Sequence, residues 1–137
     1  MNTYSVNDVN FTNSELYQNY LRRNPGIGYL MIRASAAGGA IPISNLDVTV
    51  SNMIGDTKVI FFNGKTDSSG MIEKISLPAP PDDQSDLEVP VTTIYDVEAV
   101  YDGKEYAYKV NMYNGIFVLQ NINIVPKVLE RTDYYGY

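Results

Sequence analysis

The stretch that decides the fold is the turn at residues 66–70, TDSSG, with the segment MIEKISLP at residues 71–78 directly after it. Asp67 is expected to shape a turn through a hydrogen bond made by its side chain. The segment that follows alternates between apolar and polar residues, although not strictly, as a strand does. A turn and strand of this kind are typical of small extracellular-type β modules and do not point to an enzyme.

Six further segments on either side of this stretch have the two-residue period of strands. They are residues 29–35, 46–51, 59–62, 94–101, 106–112 and 116–124. The dipeptides Asn63-Gly64 and Asp102-Gly103 are tight-turn signals, and turn signals recur every ~8–12 residues. Leu46, Val48 and Val50 alternate cleanly with polar residues and are predicted to face the core. The sequence therefore predicts an all-β protein, a sandwich of about seven strands.

An amphipathic helix is predicted near the N-terminus, at residues 13–23. Its apolar residues fall on one face and are Leu16, Tyr17, Tyr20 and Leu21. A polar side chain can cap its start, two Arg residues stand at its end, and Asn24-Pro25-Gly26 stops it. Because so short a helix is marginal alone in water, its apolar face must be buried on its own sandwich or on another subunit. Residues 1–26 are therefore predicted to form an N-terminal arm.

The C-terminal segment, residues 127–137, follows the last predicted strand and ends in YYGY. A free tail is expected to be polar, whereas this one carries three aromatic rings, so docking onto a neighbour and a free tail both remain open. The apolar residues of the two terminal segments form a hypothetical assembly interface: Phe11, Leu16, Tyr17, Tyr20, Leu21, Tyr134, Tyr135 and Tyr137.

The composition removes several classes of function. The 137 residues are 45% hydrophobic and 19% charged, as in a single globular domain, with sixteen acidic and ten basic residues. A net charge of −6 argues against nucleic acid as a partner. The absence of Cys and His removes disulfides, thiolate zinc sites and imidazole-based catalysis. With no signal peptide and no apolar run of ~18 residues, we expect synthesis in the cytoplasm, no membrane insertion, and a final place in a surface structure or particle.

Two groups of acidic residues are candidate sites. The stretch at residues 82–88, DDQSDLE, could bind Ca²⁺ through carboxylates, but it lacks the spacing of a calcium loop and follows a proline cluster. A solvated loop is the simpler interpretation. Glu98 and Glu105 could be proposed as a glycosidase pair, but nothing in the sequence supplies the cleft that such an enzyme needs. The prediction is a protein that is not an enzyme, with no catalytic residue, no metal and no cofactor.

Four segments together resemble a known family. They are GYLMIR at residues 28–33, AIPI at 40–43, LDVTV at 46–50 and the turn at 66–70. They resemble carboxypeptidase-regulatory-like domains, which are related in fold to transthyretin and to the B-type repeats of collagen-binding adhesins. The later segments are similar to versions found in Gram-positive bacteria, and the resemblance covers residues 27–126. It implies a Greek-key, prealbumin-like sandwich. The Lys–Asn isopeptide bond of the adhesin branch is not expected, since the first strand, residues 29–35, has no Lys.

The resemblance implies a rigid, non-catalytic module used as a stalk, adhesin, spacer or assembly unit. We expect a structural subunit that self-assembles or docks into a larger assembly, such as an appendage, a spore-coat layer or a phage-tail-like particle, through its terminal arms. Such arms commonly complete the sheet or groove of a neighbour. The alternative is an adhesin module that binds a glycan or peptide through loops around Gly38-Gly39 and residues 82–88.

Overall fold

The computed structural model describes residues 2–81 and 92–125. Within these residues the chain forms nine strands and two α-helices. In chain order they are β1 (Thr3–Ser5), α1 (Val9–Thr12), α2 (Glu15–Arg23), β2 (Gly26–Ala36), β3 (Ile41–Pro42), β4 (Asp47–Ile54), β5 (Thr57–Lys65), β6 (Met71–Ala79), β7 (Thr93–Tyr101), β8 (Lys104–Met112) and β9 (Phe117–Ile124). Each of the seven predicted strands overlaps one strand of the structure, although β4 and β9 begin one residue later than predicted, and β1 and β3 are short additions.

The strands form two sheets. The first has the order β1-β5-β4-β7-β8. In the second, β2 pairs antiparallel with β6 and parallel with β9, and the short β3 pairs with the end of β2. The inner faces of both sheets contribute to one hydrophobic core. The predicted fold class, an all-β sandwich, is confirmed.

The core consists of alternate residues from the strands of both sheets. Side chains with no exposed surface include Leu30, Ile32, Val48, Val50, Tyr95, Val97, Met112 and Ile122. Leu46 is 3% exposed, so all three core residues predicted on β4 are confirmed. Each fully buried aliphatic side chain of this kind stabilises the fold by roughly 1.5–3 kcal/mol.

The turn at residues 66–70 has the structure that its sequence predicts. The Oδ1 atom of Asp67 accepts hydrogen bonds from the backbone N–H groups of Ser69 and Met71, both at 2.9 Å. Gly70 has a φ of 76°, and a Cβ atom there would lie 2.4 Å from the carbonyl oxygen of Ala34. Glycine is therefore required at this position for both its conformation and its small size.

The tight turn predicted at Asn63-Gly64 is wrong, because β5 continues through both residues to Lys65. Gly64 pairs with Val48, and the ring of Phe62 lies so close that a Cβ atom at Gly64 would be 2.6 Å from its Cζ atom. The side chain of Asn63 donates to Oγ1 of Thr49 at 2.8 Å. Pairing with β4 along the whole strand thus overrides the local turn preference.

The N-terminal arm packs on its own sandwich. The predicted helix is present as α2, capped by Ser14, whose Oγ accepts from the backbone N–H of Tyr17 at 3.3 Å. Phe11, Tyr17 and Tyr20 are only 6%, 8% and 4% exposed and form a second core cluster with Ile54 and Val59. This placement corrects the expectation that these three rings present a surface to a neighbour, because the chain's own sheet already covers them.

Two predicted features lie outside the described residues. They are the aromatic residues of the C-terminal segment, Tyr134, Tyr135 and Tyr137, and the acidic stretch at residues 82–88. Their assignments as an assembly interface and as a solvated loop stay predictions.

Candidate assembly surface

A buried hydrogen-bond network fixes the arm to the sandwich. The hydroxyl of Tyr20 donates to the hydroxyl of Tyr95 at 3.0 Å, and Tyr95 donates to the carbonyl oxygen of Pro78 at 2.5 Å. The side-chain amide of Asn52 donates to Tyr20 at 3.0 Å. Burial raises the pKa of Tyr20 and of Tyr95 above that of a free tyrosine. Both sheets and α2 meet in this network, so the arm is a part of the fold.

Aromatic rings continue the same connection outward along the arm. Tyr4 stacks on Phe11 with 4.9 Å between centroids, and Phe11 lies 5.4 Å from Tyr17. Tyr17 lies 6.2 Å from Phe61, which contacts Tyr95 edge-on at 5.2 Å. Such ring pairs contribute about 0.5–1.5 kcal/mol each beyond their burial. The sequence predicts the apolar face of α2 but does not identify Phe61 and Tyr95 as its partners.

Only two of the proposed arm residues remain near the surface. Leu16 is 40% exposed, and Leu21 is half-buried. Leu21 lines a groove of about 360 Å³ together with Asn24, Pro25, Gly26, Ile27, Ser76, Leu77 and Pro78. The arm therefore offers a neighbour much less apolar surface than its sequence predicts.

The outer face of the five-stranded sheet is mixed, with exposed Ile94 and Val100 beside two ion pairs. Lys58 pairs with Glu98 at 3.3 Å, and Lys109 pairs with Asp96 at 2.7 Å. The four side chains are between 32% and 75% exposed. Pairs of this kind contribute about 0–1 kcal/mol each. This face has the character of an ordinary solvated surface.

The outer face of the other sheet is apolar. Its residues on β2 and β9, here named the apolar face, are Ile27, Tyr29, Met31, Phe117 and Leu119. Ile27, Phe117 and Leu119 are 48%, 61% and 49% exposed. Tyr29 is paired with Phe117 across the two strands, and Met31 with Leu119, so the five side chains form one continuous surface.

A row of stacked groups crosses this face from β6 to β9. The ammonium group of Lys74 lies 4.8 Å from the centre of the Tyr29 ring. Tyr29 stacks on Phe117 with 4.7 Å between ring centres and 22° between planes. Among the described residues the row ends at Phe117, whose strand lies at the edge of the sheet.

The backbone of β9 has an outward edge that is only half occupied. The N–H groups of Asn123 and Val125 donate to the hydroxyls of Tyr108 and Tyr106 on β8, at 3.4 and 3.1 Å. Since backbone groups of alternate residues point to the same side of a strand, residues 117, 119 and 121 present their N–H and C=O groups to this edge as well. The C=O of Asn121 accepts a hydrogen bond from Nε2 of Gln120 at 2.8 Å. No strand of the described residues pairs with β9 there.

The sequence contains a signal for this surface. The runs at residues 29–32, YLMI, and 116–119, IFVL, are apolar at every position. A continuous apolar run is typical of a strand buried on both faces. In the structure Leu30 and Ile32 of β2 enter the core, whereas Tyr29 and Met31 lie on the apolar face.

No group of three or more acidic residues that could hold a metal ion occurs within residues 2–81 and 92–125. In the same part of the chain, neither helix has the length and hydropathy needed to cross a membrane. The described lysines are all at least partly exposed, and none enters the core in the manner of the isopeptide-forming adhesins.

Comparisons with known proteins give a limited result. No protein-family model matches this chain, and no curated protein sequence matches it. Among solved structures, the chain is similar to the Bacillus anthracis TIE protein, with a TM-score of 0.49 and 17% sequence identity. The match covers 72% of this chain and 16% of that protein's chain, so this chain spans much less than the length of that protein.

Proposed function

We propose that this protein is a non-catalytic structural subunit that associates with further copies of itself in a larger assembly. The observation that carries the proposal is the apolar face of Ile27, Tyr29, Met31, Phe117 and Leu119. A contiguous apolar patch on a small protein commonly marks an interaction site. Two of its members, Tyr29 and Phe117, stack with 4.7 Å between ring centres, so the patch is contiguous across β2 and β9.

We further propose that the sandwich is of the Greek-key, prealbumin-like type, as the resemblance in sequence implies. Seven of the strands in the described residues have eight residues or more. The chain moves from one sheet to the other between β6 and β7 and again between β8 and β9. The parallel pairing of β2 with β9 is consistent with this type. An experimental structure would test it through the strand order.

The proposed function is tested by the mass of the full-length protein in solution. Sedimentation velocity over a range of concentrations should show species larger than a monomer, and negative-stain microscopy should show rings or filaments. Replacing Met31 with Lys places a charge in the apolar face and should shift the distribution towards the monomer. Val100→Lys is the control, because Val100 is 58% exposed on the outer face of the other sheet. A wild-type protein that stays monomeric at every concentration would contradict the proposal.

The alternative function, a glycan- or peptide-binding adhesin module, is favoured by one observation. Phe117 is 61% exposed and stacks on Tyr29 with only one of its faces, so its other face could stack on a sugar ring. A monomeric protein with a reproducible glycan-array signal that Phe117→Ala removes would favour this second function.

A further inference from the structure

We propose that Asn114 is a site of spontaneous modification, at which the chain converts its own side-chain amide into a carboxylate, and that the backbone of Ile27 controls the rate. The substrate is the Asn114-Gly115 pair itself, and the co-reactant is water. The inference goes beyond the proposed function, because it concerns the connection between β8 and β9 and requires no second copy of the chain.

The reaction forms a cyclic imide, which water then opens. The backbone nitrogen of Gly115 loses its proton and bonds to Cγ of Asn114, the Cγ–Nδ2 bond breaks, and Nδ2 leaves with that proton as ammonia. Water adds to either carbonyl carbon of the ring and breaks its bond to the nitrogen. Attack at Cγ gives aspartate, whereas attack at the main-chain carbonyl carbon gives isoaspartate. Glycine favours the ring closure because it has no Cβ atom beside the attacking nitrogen.

The sequence contains this dipeptide twice, and the structure distinguishes the two copies. Asn63 and Gly64 lie inside β5, paired with β4, and Nδ2 of Asn63 donates to Oγ1 of Thr49 at 2.8 Å. Asn114 and Gly115 lie in the connection between β8 and β9, where Gly115 is exposed and has a φ of 72°. Connections open locally at a lower free energy than paired strands. Water and hydroxide therefore reach the second pair more readily than the first.

The backbone of Ile27 holds both reacting groups of the second pair. Its N–H donates to Oδ1 of Asn114 at 2.8 Å, and its C=O accepts from the N–H of Gly115, also at 2.8 Å. Ring closure requires removal of the proton on the Gly115 nitrogen, and the carbonyl oxygen of Ile27 covers that proton. The folded chain therefore reacts only while these two hydrogen bonds are open, as in the exchange of a protected amide.

The side chain of Asn114 also lies close against Gly26. A Cβ atom at Gly26 would be 2.4 Å from Oδ1 and 2.6 Å from Cγ of Asn114. The absence of a side chain at residue 26 thus leaves the space in which the amide reaches the N–H of Ile27. A larger residue there would displace the amide and weaken its bond to Ile27.

The two products have different consequences for the fold. Aspartate retains an oxygen that can accept from the N–H of Ile27, in a hydrogen bond now assisted by charge. Isoaspartate lengthens the main chain by a carbon atom just before Ile116, whose C=O accepts from the N–H of Tyr29 at 3.0 Å. That bond stands at the beginning of the pairing between β2 and β9. Isoaspartate should therefore disturb this pairing, whereas aspartate should preserve it.

The test follows the full-length protein during storage in a mildly alkaline buffer. Peptide mapping by mass spectrometry, with a separation that resolves aspartate from isoaspartate, measures the conversion at residues 63 and 114. In the folded protein we expect residue 114 to convert at least about tenfold faster than residue 63, because the two differ in their opening. In strong urea both pairs are unstructured and should convert at similar rates, so Asn63 is the matched internal control.

Hydrogen exchange connects the rate to Ile27. The factor by which folding slows the conversion of Asn114, relative to urea, should match the protection factor of the Gly115 amide, since both processes need the same opening. Gly26→Ala should raise both rates and leave the conversion of Asn63 unchanged. If this variant does not fold, the comparison within the wild-type protein decides the question. Asn114→Asp, which carries one product alone, should melt like the unmodified protein.

Three results would overturn the inference. Conversion of residue 63 as fast as residue 114 in the folded protein would show that the connection gives no special access. Conversion of residue 114 in urea alone would show that the folded chain excludes the reaction. Conversion of residue 114 at its urea rate in a folded protein whose Gly115 amide is protected would show that Ile27 does not control it. The proposed function is unaffected by any of these results, because it is tested by the mass of the protein.

Discussion

The hydroxyl group of Tyr20, on α2, donates a hydrogen bond of 3.0 Å to the hydroxyl group of Tyr95, on β7. The two residues are 75 positions apart in sequence, and both are almost fully buried. Tyr95 passes the connection on to the carbonyl oxygen of Pro78 on β6. One chain of hydrogen bonds therefore joins the N-terminal arm to both sheets.

The first prediction concerns this contact. Tyr20→Phe keeps the ring but removes the donor to Tyr95 and the acceptor of the Asn52 amide. Leaving that amide without its partner should lower the free energy of unfolding by about 1–3 kcal/mol. Urea unfolding followed by tyrosine fluorescence measures the change. Tyr101→Phe is the control, since Tyr101 is 38% exposed, and should change it by less than about 0.5 kcal/mol. Equal effects of the two substitutions would show that the network contributes nothing.

The second prediction concerns the whole arm. Sequence considerations alone predict that removal of residues 1–24 leaves a folded sandwich that sediments as a monomer. The structure leads to the opposite expectation, because the deletion uncovers Ile54, Val59 and Phe61 and removes the partner of Tyr95. The truncated chain should melt at a much lower temperature or aggregate. A truncated protein with unchanged β content and an unchanged melting temperature would show that the arm is dispensable.

The difference between these two expectations shows where the sequence is informative. The core of β4 was predictable because one face of the strand is buried and its residues alternate, as Val48 and Val50 do. The turn at residues 66–70 was predictable because its hydrogen bonds are local, within four residues of Asp67. The pairing of Tyr20 with Tyr95 depends on the position of α2 over the sandwich, which no local pattern encodes.

The candidate surface was predictable to a smaller extent. The apolar character of the arm identified Tyr17 and Tyr20 correctly as residues in need of a cover, but not which surface covers them. The exposure of Leu119 could not be predicted from the sequence, because an apolar residue in a strand is usually a core residue. Whether such a residue faces the core or solvent depends on the register between β2 and β9, and that register is fixed by pairing between distant segments.

The third prediction concerns pH. Burial raises the pKa of Tyr17, Tyr20 and Tyr95 in the folded chain above the unfolded value of about 10. A raised folded pKa means that the stability is fully present below pH ~10 and is lost as the pH rises above it, because the unfolded state then releases protons that the folded state retains. The free energy of unfolding, measured with urea, should therefore stay level up to pH ~10. Above that pH it should fall by up to about 1.4 kcal/mol per pH unit for each such tyrosine.

A matched variant assigns this slope. Tyr17→Phe keeps the ring contacts with Phe11 and Phe61 and removes one buried phenol. The free energy of unfolding should therefore fall less steeply with pH above ~10 than in the wild type, by the contribution of one tyrosine. Phenolate absorbance should show these tyrosines ionising only as the chain unfolds. Ionisation of every tyrosine in a chain that remains folded would contradict the prediction.

The fourth prediction separates two reasons for glycine in the turns. Gly70 and Gly103 both have positive φ, 76° and 80°. A Cβ atom at Gly103 meets nothing within 4 Å, whereas one at Gly70 would lie 2.4 Å from the carbonyl oxygen of Ala34. Gly103→Ala should therefore cost only the left-handed conformation, about 1–2 kcal/mol. Gly70→Ala should cost this and a backbone displacement in β2 as well.

The comparison is made by thermal and urea unfolding of the two alanine variants beside the wild type. We expect the free energy of unfolding to fall by at least about 1 kcal/mol more for Gly70→Ala than for Gly103→Ala, since sites held against neighbouring backbone have no room to relax. The loss should also appear as faster hydrogen exchange at the amide of Ala34, which donates to the carbonyl oxygen of Gly70 at 2.8 Å. Equal losses in the two variants would mean that conformation alone requires glycine at residue 70, and that the turn does not depend on its close approach to β2.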